Sequence, residues 1–393
     1  MKNLLQQLFV GIILIFLIVA CKKTENHSER FIVTGFIEGL EGNLYYTNPY
    51  KKYSPTHPFD SIIVKNGEFI FSDTISELTL IKAYTKFSEE NKLYKKPNIK
   101  NGIYPVPSMY LMFFAFPNAE IDISGVASDF MDAYPSGDEY NNSLAEINKF
   151  AFPSFNKSVN LLVKSTFEKD TIKSEILKKQ SQEISETGRL ARIDHIREHQ
   201  NSLGALWYLN NMVLQSDISD SLALAIFNNV SPNLHHFEIY RTLEEYFDNI
   251  KVLKEGNPVP KIKTKSTLNG EEFNLTSLKG KYVLIDFWGI WCRPCVEEMP
   301  KVKLFQKRYK DKFAVLGINS GDSREKIQTF IDENKYEWQH ILNQTDDTTN
   351  DFLKKFNVKG FPTKYIIDPE GKIVKSFLGG GDEAFTLLEK LLN

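Results

Sequence analysis

Cysteine is almost absent: the 393 residues carry three, Cys21, Cys292 and Cys295. No cysteine remains for a structural disulfide once the last two are taken together, so hydrophobic cores must hold the fold. A lone Cys-x-x-Cys, without a second pair at zinc spacing, favours redox chemistry over a metal. Charge of one sign is lacking too, with a formal net charge of −2. That excludes the basic footprint of a nucleic-acid binder. There is no Walker loop, no Rossmann glycine fingerprint and no Gly-x-Ser-x-Gly elbow, and no cofactor is expected. Long hydrophobic runs are scarce as well. The one near the start, Leu8 to Ala20, is 13 residues, or ~20 Å as a helix. That falls short of the ~30 Å hydrocarbon core.

This run follows Lys2 and has the length of the h-region of an export signal. It ends Ile18-Val19-Ala20-Cys21, which resembles a bacterial lipobox. The resemblance implies a lipoprotein signal peptide over 1–21, lipidation of Cys21 and a polar tether over 22–30. The remainder would then lie in the cell envelope, lipid-anchored and facing the periplasm, where disulfides form and persist.

At ~150 residues per domain the chain has room for two or three. Residues 31–135 read as a small antiparallel β-domain. Phe31–Ile37 alternates and stops at Gly39; Ser61–Val64 and Glu68–Phe71 flank Asn66-Gly67, a strong hairpin signal. Met109–Phe116 and Ile121–Ile123 supply further strands. Over 136–253 the period becomes helical. Ser165–Gln200 lacks an internal proline, Ser202 is a candidate N-cap for Leu203–Leu214, and Ser219–Asn229 and His236–Leu253 follow. Residues 254–260, with one glycine and two prolines, form a linker.

Residues 261–393 read as α/β. Lys281–Trp288 is a continuous buried-strand run, broken at Gly289 before Trp291-Cys292-Arg293-Pro294-Cys295 and a helix to about Lys310. Phe313–Asn319 is a strand, Arg324–Asn334 a helix, His340–Leu342 a short strand and Asn350–Phe356 helical. Gly360-Phe361-Pro362-Thr363 opens a hairpin of Lys364–Asp368 with Lys372–Phe377, and Asp382–Leu392 closes the chain as a helix. This is the element order of a thioredoxin fold.

The Trp-Cys-x-Pro-Cys segment, the downstream Pro300 and the Gly-Phe-Pro-Thr run together resemble the TlpA/ResA-like family of extracytoplasmic thioredoxin-fold proteins. The β-rich segment resembles, more loosely, the domain of unknown function that often precedes such a module in lipoproteins.

The chemistry needs a thiolate, so a cysteine pKa must come down from ~8.5. A helix start does this through free N–H groups and the helix dipole, which makes Cys292 the expected nucleophile and Cys295 the resolving thiol. Pro294 fits the first turn, and Arg293 brings a positive charge expected to favour the thiolate. The resemblance implies more. Pro362 matches the family's cis-proline, with Phe361 and Thr363 beside the substrate backbone and Trp291 shaping the site. Asp286 matches the buried aspartate of ordinary thioredoxins and Glu298 an active-site glutamate of ResA-like members. A buried acid can take the proton from a resolving cysteine. Glu297 reads as a solvated helix residue, and Trp288 shapes the site beside Trp291 or simply packs.

His195-Ile196-Arg197-Glu198-His199 fits an inverted zinc-peptidase pattern, but no downstream ligand supports it, and no metal is expected. The family resemblance implies an enzyme exchanging disulfides with exported proteins, as a reductant resupplied by a membrane thiol transporter, with cytochrome c maturation as one destination. The rival is a binding lipoprotein whose dithiol senses redox state.

Overall fold

The computed structural model describes residues 29–40, 42–48, 60–85, 106–343 and 351–393. The expected signal peptide, Cys21 and most of the tether lie outside them. Among the described residues no helix is long and apolar enough to cross a membrane. The chain divides into two compact units, with the division between Leu209 and Asn210.

Among the described residues the first unit begins with eight strands, β1 (Arg30–Glu38), β2 (Leu44–Tyr46), β3 (Asp60–Ile62), β4 (Glu68–Thr74), β5 (Thr79–Thr85), β6 (Leu111–Ala115), β7 (Glu120–Ala127) and β8 (Met131–Ser136). They form two four-stranded sheets, ordered β4-β1-β7-β8 and β3-β2-β5-β6. Strand β1 alternates, so Phe31 and Val33 are buried while Ile32 faces out. Phe31, Val33, Leu44, Ile62, Phe69, Ile81, Phe113 and Ile121, drawn from both sheets, share one core. Each such side chain contributes ~1.5–3 kcal/mol when fully buried.

Two expectations change here. The arrangement is not wholly antiparallel: β1 and β7 run parallel, with Val33 opposite Ile121. The chain alternates between the sheets, adding β2 and β3 and then β5 and β6 to the second, and β7 returns beside β1 in the same direction. The Asn66-Gly67 hairpin is also a single turn. Lys65 and Glu68 exchange both backbone hydrogen bonds at 2.9 Å, with φ of 51° and 81° at the two turn residues. Yet β3 pairs with β2 and β4 with β1, because Ile62 and Phe69 enter the shared core from opposite sheets.

Helices α1 (Glu139–Phe167) and α2 (Thr171–Glu198) follow, capped by Asp138 and Asp170. The second helix therefore starts later than the expected Ser165, because the Asp170 carboxylate accepts from the N–H groups of Ile172 and Lys173 and sets a new start. Helix α3 (Leu203–Leu214) has Ser202 before it, whose Oγ accepts the Ala205 N–H at 3.1 Å.

The second unit holds α4 (Asp220–Phe227), α5 (Glu238–Val252), the short pair β9 (Lys263–Thr264) and β10 (Phe273–Asn274), and then the α/β module. Its strands are β11 (Tyr282–Trp288), β12 (Phe313–Asn319), β13 (Gln339–Leu342), β14 (Thr363–Ile367) and β15 (Ile373–Leu378), ordered β13-β12-β11-β14-β15. Its helices are α6 (Arg293–Arg308), α7 (Arg324–Asn334), α8 (Phe352–Lys355) and α9 (Glu383–Leu392). The β11, β12 and β13 strands are parallel, and β14 and β15 antiparallel. This is a thioredoxin fold. Strand β11 is buried on both faces. Leu284 and Trp288 pack with Met299 and Val302 of α6 and with Phe385 of α9. Val283, Ile285 and Phe287 pack with Phe352 and Phe356 on the other face.

Candidate active site

The strand-to-helix turn after β11 is pinned from below. The Ile290 N–H donates to Asp322 Oδ2 at 2.7 Å, and Asn319 Nδ2 donates to the same oxygen at 3.0 Å. Gly289 leaves room for the Trp291 indole, since a Cβ there would lie 2.4 Å from Trp291 Nε1. That nitrogen donates to the Ser320 carbonyl at 2.9 Å, and the ring meets Phe361 edge-on with centroids 5.0 Å apart.

Cys292 is the N-cap of α6 and is bonded to Cys295, with the sulfurs 2.02 Å apart. Both are buried, and the Cys295 N–H points at Cys292 Sγ at 3.3 Å. A sulfur in that place meets the positive end of the helix, which stabilises it as a thiolate. Pro294 sits in the first turn and Pro300 lies inside α6. Arg293 contributes less than its sequence position suggests. It is 88% exposed, and its Nε is paired with Glu297 Oε1 at 2.7 Å. Its charge is shared with a carboxylate on the outer helix face, leaving the helix terminus to favour the thiolate.

The Phe361–Pro362 peptide is cis. The Pro362 carbonyl accepts the Gly379 N–H at 2.8 Å, and Thr363 Oγ1 donates to the Gly360 carbonyl at 2.7 Å.

Beneath α6 lies a charged cluster. Alternation along β11 puts Asp286 on the same sheet face as Leu284 and Trp288, directly opposite Lys364 on β14. Lys364 Nζ lies 3.6 Å from Asp286 Oδ1 and 2.5 Å from Glu298 Oε2. Glu298 Oε1 accepts the Gly381 N–H at 2.6 Å. Burial pushes the Asp286 carboxyl up to about 6; Lys364 works against that rise and Glu298 adds to it. At 3.6 Å the Lys364 ammonium attracts Asp286 without a good hydrogen bond, and Asp286 Oδ1 has no other partner.

Sequence reasoning picks out Asp286 and Glu298 but misses Lys364, because a lysine in a strand ordinarily reads as surface. The available signal was its place inside the apolar run Lys364-Tyr365-Ile366-Ile367. It misses His340 as well. The register aligns His340, Gly317, Asp286 and Lys364 across one face of the sheet. The His340 ring lies between Trp288 and Trp338, at 5.4 and 5.5 Å, over the bare Gly317. Neither ring nitrogen has a well-formed hydrogen bond, and burial brings its pKa down to about 3, with the Tyr336 backbone opposing that fall.

Away from the dithiol, His195, His199 and Glu146 do come together, with donor atoms within 4.8 Å of one another. Each has protein partners. His199 Nε2 is 3.3 Å from Glu146 Oε1, its Nδ1 is 2.8 Å from the His195 carbonyl, and His195 stacks on Phe150.

Residues 254–392 match the Redoxin family, and residues 31–144 match a domain of unknown function, DUF4369. The thioredoxin-like protein YneN of Bacillus subtilis is 35% identical over 130 residues, covering 32% of this chain and 73% of that protein. The thiol-disulfide oxidoreductase ResA of the same organism is 31% identical over 141 residues, covering 36% and 76%. Among solved structures, the thioredoxin domain of a thiol-disulfide oxidoreductase from Bacteroides vulgatus is 35% identical. It covers 36% of this chain and 99% of that one, with a TM-score of 0.33.

Proposed function

The chain belongs to the ResA-like family of thioredoxin-fold thiol-disulfide oxidoreductases, and from that premise we propose that it reduces disulfides in exported proteins from a lipid-anchored position in the cell envelope. The observation that carries the reading is the Cys292–Cys295 pair at a helix N-terminus, above a buried acid–lysine cluster. The envelope location rests on the apolar run Leu8–Ala20 and on Cys21 as its lipidated end.

In the proposed reaction the Cys292 thiolate attacks one sulfur of a substrate disulfide. That S–S bond breaks, a mixed disulfide forms, and the second substrate sulfur leaves as a thiolate that takes up a proton. Cys295 then loses its proton to the carboxylate pair of Asp286 and Glu298 and attacks Cys292 Sγ. The substrate departs as a dithiol and the enzyme is left with the Cys292–Cys295 disulfide. A group held near neutrality suits this transfer, since it can gain and lose a proton at working pH. The carboxyl of Asp286, up at about 6, has that property. Trp291, Arg293, Pro294, Phe361, Pro362 and Thr363 form the rim that holds the partner chain. A membrane thiol transporter returns two electrons after each cycle, and cytochrome c maturation is one process such a reductant would serve. The chemistry is assigned to residues 261–393, behind the linker 254–260, with 31–135 and 136–253 as spacer or recognition segments.

Equilibration against glutathione and dithiothreitol buffers tests the direction. The expected potential lies toward that of thioredoxin, about −270 mV. A value near about −120 mV would overturn the reductant role and make the protein a disulfide donor.

A further inference from the structure

The segment leading into Pro362 is held by helices outside the α/β module. Asn249 Nδ2 on α5 donates to the Lys354 carbonyl at 3.0 Å and reaches Asn357 Oδ1 at 3.3 Å. Asn357 Nδ2 donates to the Tyr246 carbonyl at 2.8 Å, from a backbone at φ 47°. Two residues on, Lys359 Nζ lies 3.2 Å from Asp220 Oδ1 and 4.8 Å from the centre of the Tyr246 ring. The Tyr246 hydroxyl donates to that same Asp220 oxygen at 2.8 Å. Lys359 is only 15% exposed, so its ammonium is withdrawn from water into this pair of partners. Burial, reinforced by Asp220, holds the Tyr246 phenol far above its ordinary range, which keeps it a neutral donor.

From these contacts we infer that Asp220, Tyr246 and Lys359 are positioning residues for capture of the protein substrate, clamping the 357–361 segment so that Phe361 and Pro362 stand correctly beside the dithiol. The inference rests on the proposed disulfide reductase reading and deepens it. The three residues line a cleft of about 450 Å³ together with Thr363 and Leu378, whose neighbour Gly379 is bonded to the Pro362 carbonyl. The clamp therefore meets the rim where a substrate backbone would lie. The dithiol turn has its hydrogen bonds elsewhere, to Asp322 and Ser320, and touches the clamped segment through the Trp291–Phe361 ring contact. Loosening the clamp should therefore weaken protein binding and leave the sulfur chemistry alone. A helical pair that looks like a spacer in sequence becomes part of the redox unit.

The test uses the full chain with dithiothreitol as electron donor. Turnover of insulin, a protein disulfide, is compared with turnover of 5,5′-dithiobis(2-nitrobenzoate), a small one. Lys359→Met is expected to raise the KM for insulin about tenfold, and Tyr246→Phe about threefold. The kcat, the small-disulfide rate and the Cys292–Cys295 potential should stay at wild-type values, and Lys359→Arg should restore most of the KM. Should Lys359→Met fail to fold, Tyr246→Phe decides alone, since it removes one hydroxyl and keeps the ring. An unchanged insulin KM in a folded variant overturns the clamp. So does a parallel change in KM, small-disulfide rate and potential, which would mean that these residues act on the dithiol. If the wild-type chain turns over neither disulfide, the reductase reading fails first and the clamp falls with it.

Discussion

The β-sandwich and the thioredoxin sheet bury polar groups in opposite ways. In the sandwich, Asp73 is buried but accepts from the Tyr46 hydroxyl at 2.7 Å and from Asn48 at 3.0 Å. Asn141, at the start of α1, bonds both the N–H and the carbonyl of Phe114. In the thioredoxin sheet, Asp286 Oδ1, Trp288 Nε1, Asn319 Oδ1 and both nitrogens of His340 are buried without hydrogen-bond partners. A buried polar atom without a partner costs ~1–3 kcal/mol. Among the described residues, Asp73 and Asn141 use their polar atoms to complete the sandwich's own bonding. The sheet under the dithiol leaves these atoms unpartnered and gathers them on one face.

Four substitutions probe that contrast by denaturant unfolding. Trp288, Trp291 and Trp338 report the module by fluorescence, and hydrogen exchange reports the sandwich. Phe113→Ala should destabilise the sandwich by about 4 kcal/mol at every pH, as expected for an emptied apolar site. A pH-dependent loss there would break the contrast. Lys364→Met leaves the buried Asp286 and the half-buried Glu298 without their shared cation and should cost about 3 kcal/mol at pH 7, less below pH 5 as Asp286 protonates. A loss equal at both pH values would show that the lysine acts by packing alone.

Asp286→Asn should remove a pH slope. The folded pKa of about 6 lies above the unfolded value, so the native state holds the extra proton between about 4 and 6. Stability from this group is present at low pH and is lost as pH rises through that window. The variant should therefore gain on wild type by on the order of 2 kcal/mol on going from pH 4 to pH 7. A constant difference would mean that Asp286 does not titrate there. His340→Phe works on the acid side with the opposite sign. The folded pKa of about 3 lies below the unfolded value, so wild-type stability falls as pH drops below about 6.5. Without that histidine the loss between pH 6.5 and 5 should shrink by on the order of 1.5 kcal/mol.

Much of the module was readable from the chain. Tyr282–Trp288 is apolar enough to be a central strand, and Gly289 followed by Cys-Arg-Pro-Cys marks where it becomes a helix. What escaped depended on distant partners. Lys364 and His340 are polar residues whose burial follows from a register set by strands far away in sequence, and no local pattern states it. Helical spacing over 203–253 says that a face is covered, not what covers it. That α4 and α5 share a compact unit with the thioredoxin sheet was therefore invisible. The parallel pairing of β1 with β7 was hidden for the same reason. Arg293 was misjudged in the other direction: its position beside Cys292 was plain, and its pairing with Glu297 was not.

The pairing of Asp286 with Lys364 across β11 and β14 bears on how the chain folds. A slip of one residue between these strands would turn Lys364 to the opposite face, against Val283, Ile285 and Phe287. It would strand an ammonium in an aliphatic layer and leave Asp286 facing no cation. Apolar strands tolerate such slips, because one branched side chain replaces another with little loss. An ion pair at a single rung does not. The Asp286–Lys364 pair thus acts as a register lock between β11 and β14, and Glu298 on α6 completes the cluster.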